Sequence, residues 1–92
     1  MFKTCLVTLE NKTRIAAPLK YVDENGKFRT LRKGTAKVAV GTTMTMTTNG
    51  DVNDVVVTDG VKITNFVQMD RRLSYTFTAP TESGVTATIT IM

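Results

Sequence analysis

The sequence lacks the residues on which most enzyme sites and small exported domains depend. Its 92 residues include no histidine, no tryptophan and a single cysteine, Cys5. Without histidine, the Ser/His/Asp and Cys/His catalytic arrangements cannot be built. One cysteine cannot form an intrachain disulfide, so the fold must stand without the cross-links of small secreted domains. We therefore predict that the protein is not an enzyme, that Cys5 is a core residue, and that a reducing compartment suits it.

Long apolar runs and targeting signals are also missing. No apolar stretch approaches the roughly 20 residues that a membrane-spanning helix needs. An alternating pattern begins at Phe2, so no signal-peptide pattern precedes it. We therefore expect one small soluble domain, made in the cytoplasm and with no membrane partner.

The acidic residues of the second half offer the remaining catalytic alternative. Asp54, Asp59 and Asp70 each lie in or beside a predicted turn, where aspartate caps its own backbone. Asp51 belongs to the loop Asn49–Asp54, which has oxygen ligands at alternating positions but lacks the distal glutamate of a calcium loop. We predict turn residues here, with no catalytic pair, metal, cofactor or small-molecule substrate.

Threonine and valine dominate what is present, and their order is that of β-strands. Threonine alone fills about a fifth of the chain, and β-branched residues favour pleated surfaces. Residues 74–79 and 85–91 alternate strictly between apolar residues and threonine, with a Pro/Gly-containing segment between them. We interpret them as two half-buried antiparallel strands joined by a turn. Met44 and Met46 share a face of another such run and are predicted to face the core.

Turn signals divide the rest of the chain into short strands. Asn25-Gly26 and Asp59-Gly60 each separate two alternating runs and predict tight hairpins, while Pro18 predicts a strand edge or a bend. The predicted strands are 2–9, 15–22, 27–31, 35–40, 43–48, 54–58, 61–67, 74–79 and 85–91. We predict an all-β fold, a single small antiparallel β-sandwich of about seven to nine short strands. A sandwich is preferred to a barrel because a closed barrel would need more glycine at its corners.

Charge is distributed unevenly along the chain. The net charge is +4, but residues 12–37 are strongly basic and residues 51–70 are mainly acidic, which suits either an acidic partner or head-to-tail contact between copies. The candidate binding residues are Lys27, Phe28, Arg29, Arg32, Lys33 and Lys37. Their cations can neutralise phosphates, and Phe28 can stack on a base. The alternatives are an acidic protein partner, or a plain charged surface with Phe28 turned inward.

The last two predicted strands resemble a known type of module. Tyr75–Pro80 followed by Gly84–Ile91, and more weakly Gly41–Met46, resemble the closing hairpin and an upstream strand of immunoglobulin-like modules in bacterial surface proteins and tailed-phage virions. The resemblance implies an immunoglobulin-like sandwich. The cysteine pair and core tryptophan of antibody domains are missing, which leaves the looser families. Bacterial surface modules normally repeat within exported chains, so the phage virion setting fits better.

These observations predict a non-enzymatic structural protein of a phage virion, made in the host cytoplasm. The expected role is a head decoration or auxiliary capsid protein, with the major capsid protein or further copies of itself as partners. The first alternative is a small basic nucleic-acid-binding domain. The second is a cytoplasmic inhibitor that acts by protein contact, through strand addition at an exposed sheet edge.

Overall fold

The computed structural model describes residues 1–50, 52 and 54–92, and it consists of strands with no helix in those residues. The strands are β1 Thr4–Asn11, β2 Leu19–Val22, β3 Phe28–Leu31, β4 Gly34–Ala39, β5 Thr43–Asn49, β6 Val55–Val57, β7 Lys62–Met69, β8 Arg72–Thr78 and β9 Thr86–Ile91. All nine predicted strands are present. The largest difference is at β2, which begins at Leu19, because Pro18 has no amide to donate to a ladder.

The strands form two sheets, which confirms the predicted β-sandwich. One sheet has the order β4-β1-β9-β6 and the other β3-β2-β5-β8-β7. All neighbours are antiparallel except β1 and β9, which run parallel with Val7 opposite Ala87. The first and last strands therefore lie side by side in the middle of the four-stranded sheet.

Alternation along the strands places the core between the sheets. In β5, Met44, Met46 and Thr48 are buried, and the residues between them are exposed, as a period of two requires. In β1, Cys5 and Val7 point inward in the same way. The core is mainly aliphatic, with Phe77 as its largest fully buried side chain. The predictions that Cys5, Met44 and Met46 are core residues are confirmed.

The predicted hairpin between residues 74–79 and 85–91 is wrong. β8 pairs with β5 and β7, whereas β9 pairs with β1 and β6, so the two strands lie in different sheets. Residues 79–85 cross from one sheet to the other, a gap of about 10 Å. Both strands have one apolar face because both border the same core. The two strands of a hairpin would show the same pattern, so the pattern does not distinguish the two arrangements.

The two turn dipeptides have different outcomes. Asn25-Gly26 lies in the β2–β3 hairpin, where Val22 pairs with Phe28, so that prediction is confirmed. The hairpin predicted at Asp59-Gly60 is wrong, because β6 and β7 belong to different sheets. Both turn residues have positive φ, 54° and 97°, and this backbone turns the chain across the sandwich. A hairpin that was not predicted joins β7 to β8 through Asp70 and Arg71.

The strand order gives the sandwich two different sides. β3 and β4 are the outer strands on one side, and β6 and β7 are the outer strands on the other. The basic segment therefore lies along one side of the molecule, and Asp54 and Asp59 lie along the opposite side. The charge asymmetry of the sequence becomes an asymmetry between the two sides of the fold.

Candidate binding edges

The six predicted binding residues lie along one side of the sandwich. Lys27 precedes β3, Phe28 and Arg29 begin it, Arg32 and Lys33 form the β3–β4 turn, and Lys37 lies in β4. All of them are exposed. We call this group the basic edge: Lys27, Phe28, Arg29, Arg32, Lys33 and Lys37.

Asp23 fixes the start of the basic edge. One carboxylate oxygen of Asp23 accepts hydrogen bonds from the backbone amides of Asn25 and Lys27, each at 2.9 Å. The other oxygen accepts from Nε of Arg29 at 2.9 Å. The bond from Arg29, followed by the amide bonds, lowers the pKa of Asp23. Arg29 is thus partly neutralised and serves the turn as well as the surface.

The remaining cations of the basic edge are free of such pairing. Among the residues that the structure describes, the ion pairs are Arg29 with Asp23 and Lys12 with Glu10. Lys27, Arg32, Lys33 and Lys37 therefore present their charges to solvent. A partner's carboxylates or phosphates would not have to displace an internal acid to reach them.

Phe28 stands out on this edge because 84% of its surface is exposed. The interpretation in which Phe28 turns inward is wrong. Leu31 packs against the core, so strand alternation sends Phe28 to the outer face of β3. The ring is therefore exposed on the outer face, while the neighbouring Arg29 alternates to the other face of the strand.

The basic edge wraps around the side of the molecule and is not one flat face. Ala36 and Val38 point into the core, so Lys37 faces outward from the four-stranded sheet. Phe28 faces outward from the five-stranded sheet, on the other broad face of the sandwich. A flat partner can contact the β3–β4 turn together with either Phe28 or Lys37. A concave partner can contact the turn, Phe28 and Lys37 at once.

The opposite side holds a second exposed feature, which the sequence analysis missed. All eight residues of β7 are exposed, although Ile63, Phe66, Val67 and Met69 are large and apolar. β6 is the outer strand of the facing sheet and has only three residues, too few to cover β7. The sequence indicates a long strand at β7. It does not indicate the strand order, which makes β7 the outermost strand of its sheet.

Phe66 continues an aromatic row that begins in the core. The rings of Phe77 and Tyr75 lie 6.0 Å apart, and those of Tyr75 and Phe66 lie 4.8 Å apart, between centroids. The row passes from a fully buried ring to one that is 48% exposed. Burial, with a smaller contribution from the charge of Asp54, raises the pKa of Tyr75, so its hydroxyl stays neutral at physiological pH.

Of the residues weighed for catalysis, Cys5 lies in the core, and Asp59 and Asp70 lie in turns. The thiol of Cys5 is buried, donates to the carbonyl of Val38 at 3.5 Å, and has a pKa raised by burial. Asp59 and Asp70 occupy turns with positive φ of 54° and 56°, a backbone that aspartate tolerates well. Asp51 of the predicted acidic loop lies outside the described residues.

A cleft of about 720 Å³ opens where the β6–β7 turn meets the β8–β9 crossing. Its charged lining residues are Asp59, Lys62 and Glu82, accompanied by threonines and Pro80. None of the three charged side chains is buried. Elsewhere in the described ranges, no group of three or more His, Cys, Asp or Glu residues gathers as metal ligands would.

In the described part of the chain there is no helix long and apolar enough to cross a membrane. Comparison of the chain with protein-family models, with curated protein sequences and with solved structures finds no match in any of the three. A function for the chain must therefore be inferred from its two exposed edges.

Proposed function

We propose that this chain is a non-enzymatic structural protein that acts by docking onto a larger protein assembly, as a decoration or auxiliary capsid protein of a phage particle. The observation that carries the proposal is the basic edge, where an 84% exposed phenylalanine and four cations that form no ion pair within the described residues occupy one side of the fold. Aromatic residues and arginine are the residue types enriched at protein interfaces.

The proposed mechanism is electrostatic docking followed by burial of Phe28. Arg32 and Lys33 project from the β3–β4 turn and would meet an acidic patch on the major capsid protein. Complementary charge speeds encounter and fixes orientation, and burial of one aromatic anchor adds affinity. The rigid sandwich holds both features without reorganisation, which lowers the entropic cost of binding.

A charge-reversal experiment tests this docking. Purified protein is mixed with particles produced by the genome that encodes the chain, and binding is measured by co-sedimentation. The variant Arg32→Glu/Lys33→Glu is expected to bind at least tenfold more weakly, equivalent to about 1.4 kcal/mol. Arg71→Glu/Arg72→Glu is the matched control, because it changes charge equally on another exposed pair across the sandwich and should bind like the wild type. Equal loss in both variants, or no binding by the wild type, would contradict the proposal.

Nucleic-acid binding is the second candidate, and the exposure of Phe28 favours it. The exposed ring lies within reach of the same partner as Arg32 and Lys33 in the β3–β4 turn, so a base can stack on Phe28 while those cations neutralise neighbouring phosphates. Fluorescence anisotropy with single-stranded DNA at two salt concentrations tests this candidate. It predicts affinity that falls steeply with salt and a loss of about 1–3 kcal/mol in Phe28→Ala. Binding without a salt slope, or unchanged in Phe28→Ala, would remove it.

The inhibitor alternative is supported by β7, which is long enough to accept an added strand from a foreign protein. The inhibitor alternative predicts that this chain captures a single host protein in a pull-down from lysate and does not capture phage particles. That outcome would displace the virion proposal.

A further inference from the structure

The free edge of β7 has the properties of a strand that pairs with another strand. It is eight residues long and wholly exposed, and between Lys62 and its last residue Met69 it carries no charge, proline or glycine. The other outer strands are shorter, with four residues in β3, six in β4 and three in β6. Exposed edges that lack charge and proline are the ones on which other chains add.

Hydrogen-bond alternation shows which groups of β7 are available. Met69 and Arg72 face each other across the tight turn between β7 and β8, and in such hairpins the flanking residues bond to each other. The ladder then alternates, so the backbone amide and carbonyl groups of Phe66 and Gln68 point away from β8. In agreement, the amide of Phe66 donates to its neighbouring side chain, Oδ1 of Asn65, at 2.9 Å.

We infer that β7 pairs antiparallel with β7 of a second copy of this chain, with Phe66 on the two-fold axis. In this register the outward amide of Phe66 donates to the carbonyl of Phe66 in the second copy, and the reverse bond forms as well. Asn65 lies beside Val67 of the second copy on the outer face of the sheet. The two Phe66 rings lie together on the inner face, where each is now 48% exposed.

Charge complementarity selects a second copy as the occupant. Lys62 begins β7, and Asp70 follows its last residue. Antiparallel pairing about Phe66 brings Lys62 of each copy to the Asp70 end of the other, so the same pair of opposite charges forms twice. A surface that is complementary to itself in this way is the requirement for a closed two-fold dimer.

The bulge in β7 limits how far the new ladder extends. The register of β7 on β8 shifts between Ile63 and Asn65, which leaves Thr64 unpaired. The regular part of the dimer ladder therefore runs from Asn65 to Val67, and it loosens where Thr64 meets Gln68 of the second copy. The side chain of Asn65 must also give up its hydrogen bond with the amide of Phe66 when the dimer forms. Because this loss weakens the dimer, we expect it to be in measurable equilibrium with the monomer.

This inference uses a different edge from the docking proposal and does not depend on a virion setting. The test is sedimentation velocity of the full chain over a range of concentrations, with three single variants. Val67→Lys places a charge on the outer face of the paired strand, where Val67 is 45% exposed. Gln68→Pro removes an amide that points away from β8, a position where an edge strand tolerates proline. Val56→Lys is the matched control, since Val56 is 40% exposed on the neighbouring edge strand β6.

The wild type and Val56→Lys are expected to form dimers and nothing larger, while Val67→Lys and Gln68→Pro raise the dimer dissociation constant at least about 30-fold. Circular dichroism establishes that each variant remains folded. The inference is overturned if the wild type stays monomeric at hundreds of micromolar, or if it forms open-ended polymers. It is equally overturned if both edge variants dimerise like the wild type.

Discussion

Asp23 connects the stability of the β2–β3 turn with the shape of the basic edge. Its carboxylate holds two backbone amides and the guanidinium of Arg29, and these bonds favour the charged form, so its pKa is lowered. A carboxyl group with a lowered pKa stabilises the fold at pH values above its unfolded pKa. That contribution is lost as pH falls from about 3.9, the ordinary aspartate value, through the lower value of the folded state.

We therefore predict different pH profiles for two substitutions at Asp23. Asp23→Asn keeps an oxygen for the amides but loses the charge, so it should be less stable than the wild type at pH 7 and should approach it at an acid pH below the ordinary aspartate value of about 3.9. Asp23→Ala loses the turn bonds as well and should stay less stable at both pH values. Urea unfolding at each pH measures this. An Asp23→Asn protein as stable as the wild type at pH 7 would show that the ion pair contributes nothing.

Thr48 is the one buried residue in the described part of the chain whose side-chain hydroxyl has no hydrogen-bond partner there. It is 1% exposed and belongs to the inner face of β5. Valine has the same shape without the hydroxyl, and an unsatisfied buried hydroxyl costs about 1–3 kcal/mol. We predict that Thr48→Val raises the free energy of unfolding by about 1 kcal/mol.

The matched control for Thr48 is its exposed neighbour. Thr47→Val makes the same chemical change on the outer face of β5 and should alter stability by less than about 0.5 kcal/mol. A Thr48→Val protein less stable than the wild type would contradict the assignment and indicate that the hydroxyl bonds to another group.

At the scale of the element, residue order predicted the positions of the strands well, because buried and exposed side chains alternate along each strand. Thr43–Asn49 is the clearest case, since its alternation of threonine with methionine appears directly as exposed and buried positions. The pairing of strands was predicted less well. Residues 85–91 have the same pattern whether β9 pairs with β8 or with β1, because both arrangements bury the same face.

The same limit applies to the candidate site. Arg32 and Lys33 lie between the predicted strands 27–31 and 35–40, and the structure places them in the β3–β4 turn. The outward direction of Phe28 depends on which face of β3 meets the facing sheet, and the edge of β7 was missed because one strand's pattern does not show that the strand is outermost. Which strand is outermost is a property of the whole sheet order and cannot be derived from one strand.

Alternation in β5 gives a direct stability prediction. Met44→Ala removes a fully buried side chain and should lower the free energy of unfolding by about 2–5 kcal/mol. Thr45→Ala, on the exposed face next to it, should cost at most about 1 kcal/mol. Chemical denaturation of both variants measures the difference. Similar losses in the two would contradict the assignment of inner and outer faces.

At the scale of the molecule, the fold separates two kinds of surface. The basic edge offers unpaired cations and one ring on the side of β3 and β4, while β7 offers backbone groups and apolar side chains on the other side. A sandwich measuring 38 × 20 × 20 Å with two such sides can contact a partner and a second copy at the same time. A dimer joined through β7 would present two basic edges pointing away from each other, which favours bridging between sites on a lattice.

If this chain is a structural component of a phage particle, as we propose, the protein content of that particle must include it. Virions made by the encoding genome are purified, and their proteins are quantified by mass spectrometry. The chain is expected at a fixed ratio to the major capsid protein across preparations. Its absence from purified virions, while it is abundant in the infected cell, would show that it is not a virion component.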